Sequence, residues 1–135
     1  MKLTIERLAA LSSQDLIDLG KIWPQQQPGD WQRWLSEGRA LFGARFNERL
    51  LGAVKVELDG GSARLHDLQV RELTRRRGVG LYLIEDVQRQ MPAVKHWRLS
   101  AAELPAEARD ALGAFMLACG FTQQGEDWQK ETPRV

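Results

Sequence analysis

A basic segment that contains two glycines is the part of this sequence best suited to binding an anion. It reads Arg75-Arg76-Arg77-Gly78-Val79-Gly80 and lies between a strand-like run, residues 65–70, and a helix-like run, residues 81–90. The first backbone N–H groups of a helix have no intrahelical partner and carry partial positive charge. Glycines allow phosphate oxygens to approach the backbone, and guanidinium groups pair with them. We therefore predict a site for a pyrophosphate or a 3′-phosphate at Arg75, Arg76, Arg77, Gly78 and Gly80.

The composition limits the classes of function that this chain can have. Its 135 residues are 43% hydrophobic and 27% charged, which indicates a single soluble globular domain over residues 1–135. The net charge is +1 although four arginines lie between positions 71 and 77, so one local anion site is favoured over a nucleic-acid surface. We expect a cytoplasmic protein, because no apolar run could span a membrane and no signal-peptide pattern is present. One cysteine and two histidines argue against disulfides and a structural metal site.

Hydrophobic periodicity and turn signals predict the element order β-α-α-β-β-β-α-β-α-β-β. Ser12 or Ser13 is expected to cap the first helix, and Asp59-Gly60-Gly61 is a strong turn signal before the fourth strand. This order alone indicates an α/β or α+β domain with a mixed sheet. The predicted bounds include strands at 2–8, 41–46, 50–58, 94–100, 121–124 and 128–131, and a helix at 107–119.

The spacing Arg75-x-x-Gly78-x-Gly80 differs from a Walker A loop and from the G-x-G-x-x-G fingerprint. It resembles the acyl-CoA pyrophosphate loop of the GNAT N-acetyltransferase superfamily, and the element order matches the GNAT order along nearly the whole chain. The resemblance implies acetyl-CoA or CoA as the cofactor, with pantetheine inserted where the strand before the loop splays from its neighbour. By position, it assigns the pyrophosphate to Thr74, Arg75, Arg76, Arg77, Gly78, Val79, Gly80 and Leu81. It assigns main-chain contacts to Leu68, Gln69 and Val70, and further cofactor contacts to Glu107, Ala108, Arg109 and Asp110.

Longer segments are similar to one branch of that superfamily, the PanM/PanZ family. They comprise residues 1–5, 18–24, 44–51, 70–80 and 115–121, and the run Arg71-Glu72-Leu73-Thr74-Arg75-Arg76-Arg77-Gly78-Val79-Gly80 is the most specific. The resemblance implies a regulatory partner that promotes self-cleavage of the aspartate 1-decarboxylase precursor to its pyruvoyl form. Arg45 and Asn47 would then contribute to partner binding. Residues 25–37 and 101–110 depart from the expected family pattern.

The chain lacks the side chain that many GNAT enzymes use to protonate the leaving thiolate. Met116 occupies the position of the usual tyrosine, and a thioether has no proton to donate. His66 and Asp67 are the best local candidates for a base, although such a pair is more often packed or solvated. We therefore predict no catalytic residue and little or no acetyltransferase turnover. The alternatives are a true N-acetyltransferase acting on a small amine or a protein amino group, and a domain whose arginine loop binds nothing specific.

Two tryptophans three residues apart, Trp31 and Trp34, lie in a polar region and have two possible roles. They could form an exposed aromatic anchor for a protein partner, since tryptophan is enriched at interface hot spots. They could equally belong to a short helix that packs both rings against the sheet. The sequence leaves both possibilities open.

Overall fold

A computed structural model describes residues 3–71, 78–100 and 106–131, with the backbone alone for 106–111. The predicted element order is confirmed, and a single turn of 3-10 helix, Arg33–Leu35, follows the second helix. The strands are β1 Thr4–Arg7, β2 Arg39–Phe46, β3 Arg49–Asp59, β4 Ser62–Val70, β5 His96–Ser100, β6 Thr122–Gln124 and β7 Asp127–Glu131. The helices are α1 Ser13–Ile22, α2 Pro28–Gln32, α3 Val79–Gln90 and α4 Ala106–Ala118.

The strands form one seven-stranded sheet in the order β1-β2-β3-β4-β5-β7-β6. All neighbouring strands run antiparallel except β4 and β5, which pair in parallel. A parallel pair needs a crossover connection, and α3 lies in the crossover between these two strands. The prediction of a mixed α/β sheet is therefore confirmed.

Helices cover both faces of the sheet, because its strands carry buried apolar side chains on each side. The α3 residues Leu83, Ile84 and Val87 pack in one cluster with the strand residues Val54 and Val56. A second cluster joins α1 and α2 to the other face through Leu19, Ile22, Trp31, Leu41 and Leu50. The first cluster includes Val79 at the start of α3, with Val70 at the end of β4 packed against it, so it positions two elements of the predicted cofactor site.

The two tryptophans of the polar region have different environments. Trp31 is 2% exposed and belongs to the core under α1 and α2. Trp34 is partly buried, with its ring centroid 5.3 Å from that of His66 and 5.2 Å from the Arg39 guanidinium carbon. Of the two possible roles, Trp31 therefore has the packing role, as part of the short helix against the sheet. The Trp34 ring lies beside β4.

Charged side chains connect α1 to the β2–β3 hairpin. Ser12 caps α1 through a capping box with Asp15. Asp18 is fully buried and accepts hydrogen bonds from Arg49 Nε at 2.8 Å and from Leu50 N–H at 3.0 Å. Burial alone would raise the pKa of Asp18, but the hydrogen bonds from Arg49, Leu50 N–H and Gln14 hold that pKa below its ordinary value.

We expect Asp18→Ala to lower the free energy of unfolding by about 1.5–3 kcal/mol, because it removes charge-assisted bonds and leaves the buried Leu50 N–H unsatisfied. A depressed carboxyl pKa stabilises the fold above the unfolded-state value, which is 3.8, and this contribution is lost as the pH falls through the folded-state pKa. Urea unfolding at neutral pH and at pH values below 3.8 measures both effects. Glu85→Ala, on the exposed side of α3, is the matched control, and an equal loss in the two variants would contradict the prediction.

Candidate coenzyme site

The N-terminus of α3 has the backbone conformation required at an anion-binding helix start. Gly78 is the residue before the helix and adopts the left-handed conformation, with φ 78° and ψ 7°. A Cβ atom at Gly78 would meet no atom within 4 Å, so the space beside it is open. The first turn of α3 contains no acidic residue, and no side chain among the described residues caps it. Free N–H groups at such an end are suited to a phosphate.

The second glycine of the motif has a different role from the first. A Cβ at Gly80 would lie 3.1 Å from Phe115 Cε1 and 3.5 Å from Val70 Cγ2. This glycine therefore allows the first turn of α3 to pack closely against α4 and the end of β4, a role that the sequence did not reveal. Val79 is buried in the core, and Leu81 packs partly against it. Thr74, Arg75, Arg76 and Arg77 lie outside the described residues.

The strand before the loop leaves its parallel neighbour, as the predicted pantetheine position requires. The β4–β5 register extends from Ser62 opposite His96 to Leu65 opposite Leu99. Beyond Leu65, within the described part of the chain, β4 pairs only with β3, as far as Val70 opposite Gly52. Leu68, Gln69 and Val70 therefore lie on the splayed part of β4, and all three are half-buried.

The close approach of β3 to this splayed part depends on Gly52. A Cβ there would lie 3.2 Å from the Gln69 carbonyl oxygen and 3.2 Å from Val70 Cγ2. The remaining predicted cofactor residues, Glu107, Ala108, Arg109 and Asp110, occupy the first turns of α4, and only their backbone is described. The splayed strand, the α3 N-terminus and α4 are therefore neighbours in the fold.

His66 and Asp67 do not form a pair. His66 Nε2 lies 3.1 Å from Glu57 Oε1, whereas Asp67 Oδ2 lies 2.8 Å from Lys55 Nζ. Asp67 also has a positive φ of 54°. The two side chains that the sequence nominated as a possible base are each bound to a different neighbour.

Arg45 and Asn47 lie at the β2–β3 hairpin, at the end of the sheet where β4 ends. The Arg45 guanidinium group binds Glu6, lies 3.1 Å from Asp15 Oδ1 and donates to the Glu48 carbonyl oxygen at 3.3 Å. Asn47 and Glu48 form the turn with left-handed φ angles of 50° and 67°. Arg45 therefore holds the turn against β1 and α1, while Asn47 is exposed.

An open groove of about 500 Å³ lies on the polar face of β3, β4 and β5, lined in part by Glu57, Arg64, His96 and Arg98. Its described lining residues include none of the predicted cofactor residues. Within the described ranges, no group of three or more His, Cys, Asp or Glu residues could hold a metal ion. None of the described helices is long and apolar enough to cross a membrane.

Comparison with known protein families identifies the family to which a chain with this geometry belongs. The model of the GNAT acetyltransferase domain termed PanZ matches residues 2–129. The chain belongs to the PanZ family. It is 51% identical over 130 residues to the PanD regulatory factor of Salmonella typhimurium, with 96% of this chain and 99% of that protein covered. It is 50% identical, with the same coverage, to the PanD regulatory factor of Escherichia coli.

Solved structures show the same relationship for this PanZ-family chain. The putative N-acetyl transferase YhhK of E. coli, bound to coenzyme A, has a TM-score of 0.86 and 49% identity, with 98% of this chain and 100% of that chain covered. The ribosomal-protein-S18-alanine N-acetyltransferase of E. coli has a TM-score of 0.79 at 15% identity, covering 99% and 96% of the two chains. The second likeness concerns the fold alone. The predictions of a GNAT fold and of membership in the PanM/PanZ family are confirmed.

Met116 and Cys119, near the C-terminal end of α4, are buried and unsuited to proton transfer. Met116 is fully buried in the core beneath the sheet. Burial raises the pKa of the Cys119 thiol to about 11, with Lys130 lowering it and Glu85 raising it to smaller extents. That thiol is protonated at neutral pH and cannot act as a nucleophile.

Proposed function

We propose that this chain is a CoA-responsive regulatory partner of the aspartate 1-decarboxylase PanD and promotes cleavage of the PanD precursor to its pyruvoyl form. The observation that carries the proposal is about 50% identity over nearly the full length to two PanD regulatory factors. The CoA-bound relative at 49% identity supports coenzyme binding by this chain.

The described residues fit CoA or acetyl-CoA at two places. The N-terminus of α3, with Gly78 in a left-handed conformation beside open space, suits the pyrophosphate. The splayed residues Leu68, Gln69 and Val70 provide backbone beside which pantetheine would lie. When it is bound, CoA would bring negative charge into this cleft and fill its space. The chain contributes binding and orientation, while the precursor supplies the nucleophile for its own cleavage.

Regulation of this kind requires preferential binding of the cleavage-ready precursor. A shift of that conformer from about 1% to about 99% needs roughly 5.5 kcal/mol of differential binding free energy. A few well-buried interface anchors can supply that amount. The hairpin turn at Asn47, which Arg45 holds against β1 and α1, is a candidate contact for the precursor.

The proposal includes a cytoplasmic location and a single domain over residues 1–135. The unpaired, buried Cys119 is compatible with a reducing compartment. Strands from Thr4 to Glu131 join one sheet, so the first and last elements share a fold.

With acetyl-CoA present, we expect the chain to accelerate cleavage of purified PanD precursor, because it binds the cleavage-ready conformer more tightly. The precursor and its two products are separated on a gel over time, with and without the chain and with and without acetyl-CoA. Asn47→Ala should weaken the acceleration, whereas Gln32→Ala, an exposed polar change in α2, is the matched control. Equal cleavage rates with and without the wild-type chain would refute the proposed function.

A further inference from the structure

A buried lysine lies in the middle of β3, beside the point where β4 leaves β5. Lys55 is 4% exposed, and its Nζ lies 2.8 Å from Asp67 Oδ2 and 2.7 Å from Gln26 Oε1. The same Nζ lies 4.9 Å from the ring centroid of Trp23 and 5.7 Å from that of Trp34. A buried ammonium group is costly unless it is paired, so this set of contacts must form for β3 to pack as it does.

The partner carboxylate belongs to the residue at which β4 bends. Ala53 is opposite Gln69 and Lys55 is opposite His66, so β4 has one more residue than β3 between these pairs. This extra residue makes a β-bulge, and Asp67 within it has a φ of 54°. Aspartate adopts the left-handed conformation less readily than glycine does.

Three side chains hold Asp67 in this conformation from outside β4. Lys55 binds its carboxylate, Gln26 Nε2 donates to the same oxygen, Oδ2, at 3.1 Å, and Trp23 Nε1 donates to its carbonyl oxygen at 2.8 Å. Lys55 is the most important, because it contributes the only positive charge among the three. Its loss would leave the exposed Asp67 carboxylate without this positive charge, on a backbone in an unfavourable conformation.

The residues assigned to pantetheine follow the bulge directly. The backbone at Asp67 sets the direction of the three residues that follow it, Leu68, Gln69 and Val70. The β4–β5 pairing ends two residues before Asp67, at Leu65. A change in the Asp67 backbone would therefore turn all three residues relative to β5. Side chains that fix the bulge also fix the width of the cleft.

We propose that Lys55 is a positioning residue for the coenzyme: through Asp67 it maintains the bulge that gives Leu68, Gln69 and Val70 their coenzyme-binding direction. The proposal rests on the proposed function, which places CoA in this cleft. Lys55 itself touches no coenzyme in this mechanism and acts through the β4 backbone. Replacing Lys55 should therefore change CoA affinity by an amount that the accompanying change in global stability does not predict.

The first test measures two quantities for each variant: the dissociation constant of CoA, by titration calorimetry, and the melting temperature. The changes in the two quantities are then compared between variants. Lys55→Met should weaken CoA binding by about tenfold. This factor lies within the range typical of free-energy coupling between two distinct sites of a protein. Arg49→Met is the matched control, because it also removes a positive charge that is paired with a buried carboxylate, Asp18, away from β4. The control should lower the melting temperature and leave CoA affinity unchanged.

A double variant that restores CoA binding separates the effect of the bulge conformation from the effect of the Lys55 charge. Glycine adopts positive φ without strain, so Lys55→Met combined with Asp67→Gly should bind CoA within about threefold of the wild type. Asp67→Val removes the same carboxylate but disfavours positive φ, so it should bind CoA weakly even with Lys55 present. If Lys55→Met is too unstable to assay, the comparison of Asp67→Gly with Asp67→Val tests the same bulge.

The outcomes separate this inference from the proposed function. Absence of CoA binding by the wild type would overturn the proposed function. Wild-type binding together with unchanged affinity in Lys55→Met would overturn the role of Lys55 alone. Equal affinities of Asp67→Gly and Asp67→Val would also overturn it, because the backbone conformation at position 67 would then not matter.

Discussion

Gly78→Glu is expected to abolish CoA binding, whereas Gly78→Asn should retain most of it. Gly78 has a φ of 78°, which strains most residues with a Cβ but which asparagine tolerates. A Cβ at this position meets no atom within 4 Å, so neither side chain is excluded by lack of space. The glutamate carboxylate would lie at the positive end of α3, where we place the pyrophosphate, and like charges there repel.

Thermal unfolding with and without CoA measures this difference. Ligand at a hundredfold excess over its dissociation constant should stabilise the wild type by about 2.7 kcal/mol, and this gain should disappear in Gly78→Glu. Higher salt should weaken wild-type binding, because the assigned contacts are ionic. An undiminished gain in Gly78→Glu would show that the loop is not the phosphate site. Equal losses in both variants would attribute the effect to backbone strain and not to charge.

Local signals in the sequence were sufficient to predict the order of the elements. Apolar spacing, the Ser12 cap and the turn at Gly60 each depend on neighbours within a few residues, and each has the predicted role in the structure. The family resemblance added the separation of the strand before the loop from its neighbour, since no local pattern determines which strands become neighbours. Strand bounds differ by one or two residues at several ends; for example, β5 begins at His96 and not at Val94.

Contacts between distant residues could not be predicted from the sequence. Arg45 was assigned to a protein partner, but its guanidinium group binds Glu6 and Asp15, which are 39 and 30 residues away. Lys55 interrupts the apolar run of β3, which is the one signal that could have singled it out. Nothing near Lys55 in the sequence identifies Asp67 or Gln26 as its partners. Such partners are determined by strand register and helix packing, and hence by the whole fold.

The closeness of Gly80 to Phe115 has the same non-local origin. The motif explains a glycine at position 80 by the approach of a phosphate, whereas the fold adds the approach of α4. A single sequence cannot separate these two requirements, because both are met by the absence of a side chain.

The last prediction is that the wild type shows no efficient acetyl transfer to an amine. Met116 is buried and has no proton to donate, and the Cys119 thiol, with a pKa of about 11, is not a nucleophile at neutral pH. The Asp67 carboxylate is paired with Lys55, and His66 Nε2 lies 3.1 Å from Glu57 Oε1, so His66 is the side chain that a test of acetyl transfer must address. Loss of a positioned acid or base typically lowers the rate by about 10²–10⁴-fold.

Thiol release from acetyl-CoA, measured with a panel of small amines and with PanD precursor, checks this expectation. Met116→Tyr should not restore turnover, because a larger side chain at a fully buried position strains the core before its hydroxyl group can reach the cleft. His66→Ala is the informative control, since it removes the one imidazole beside the cleft. Steady thiol release by the wild type that is lost in His66→Ala would identify an acetyltransferase with His66 as its proton acceptor. Release at the buffer rate in all three proteins is the result we expect from a regulator that binds the coenzyme without consuming it.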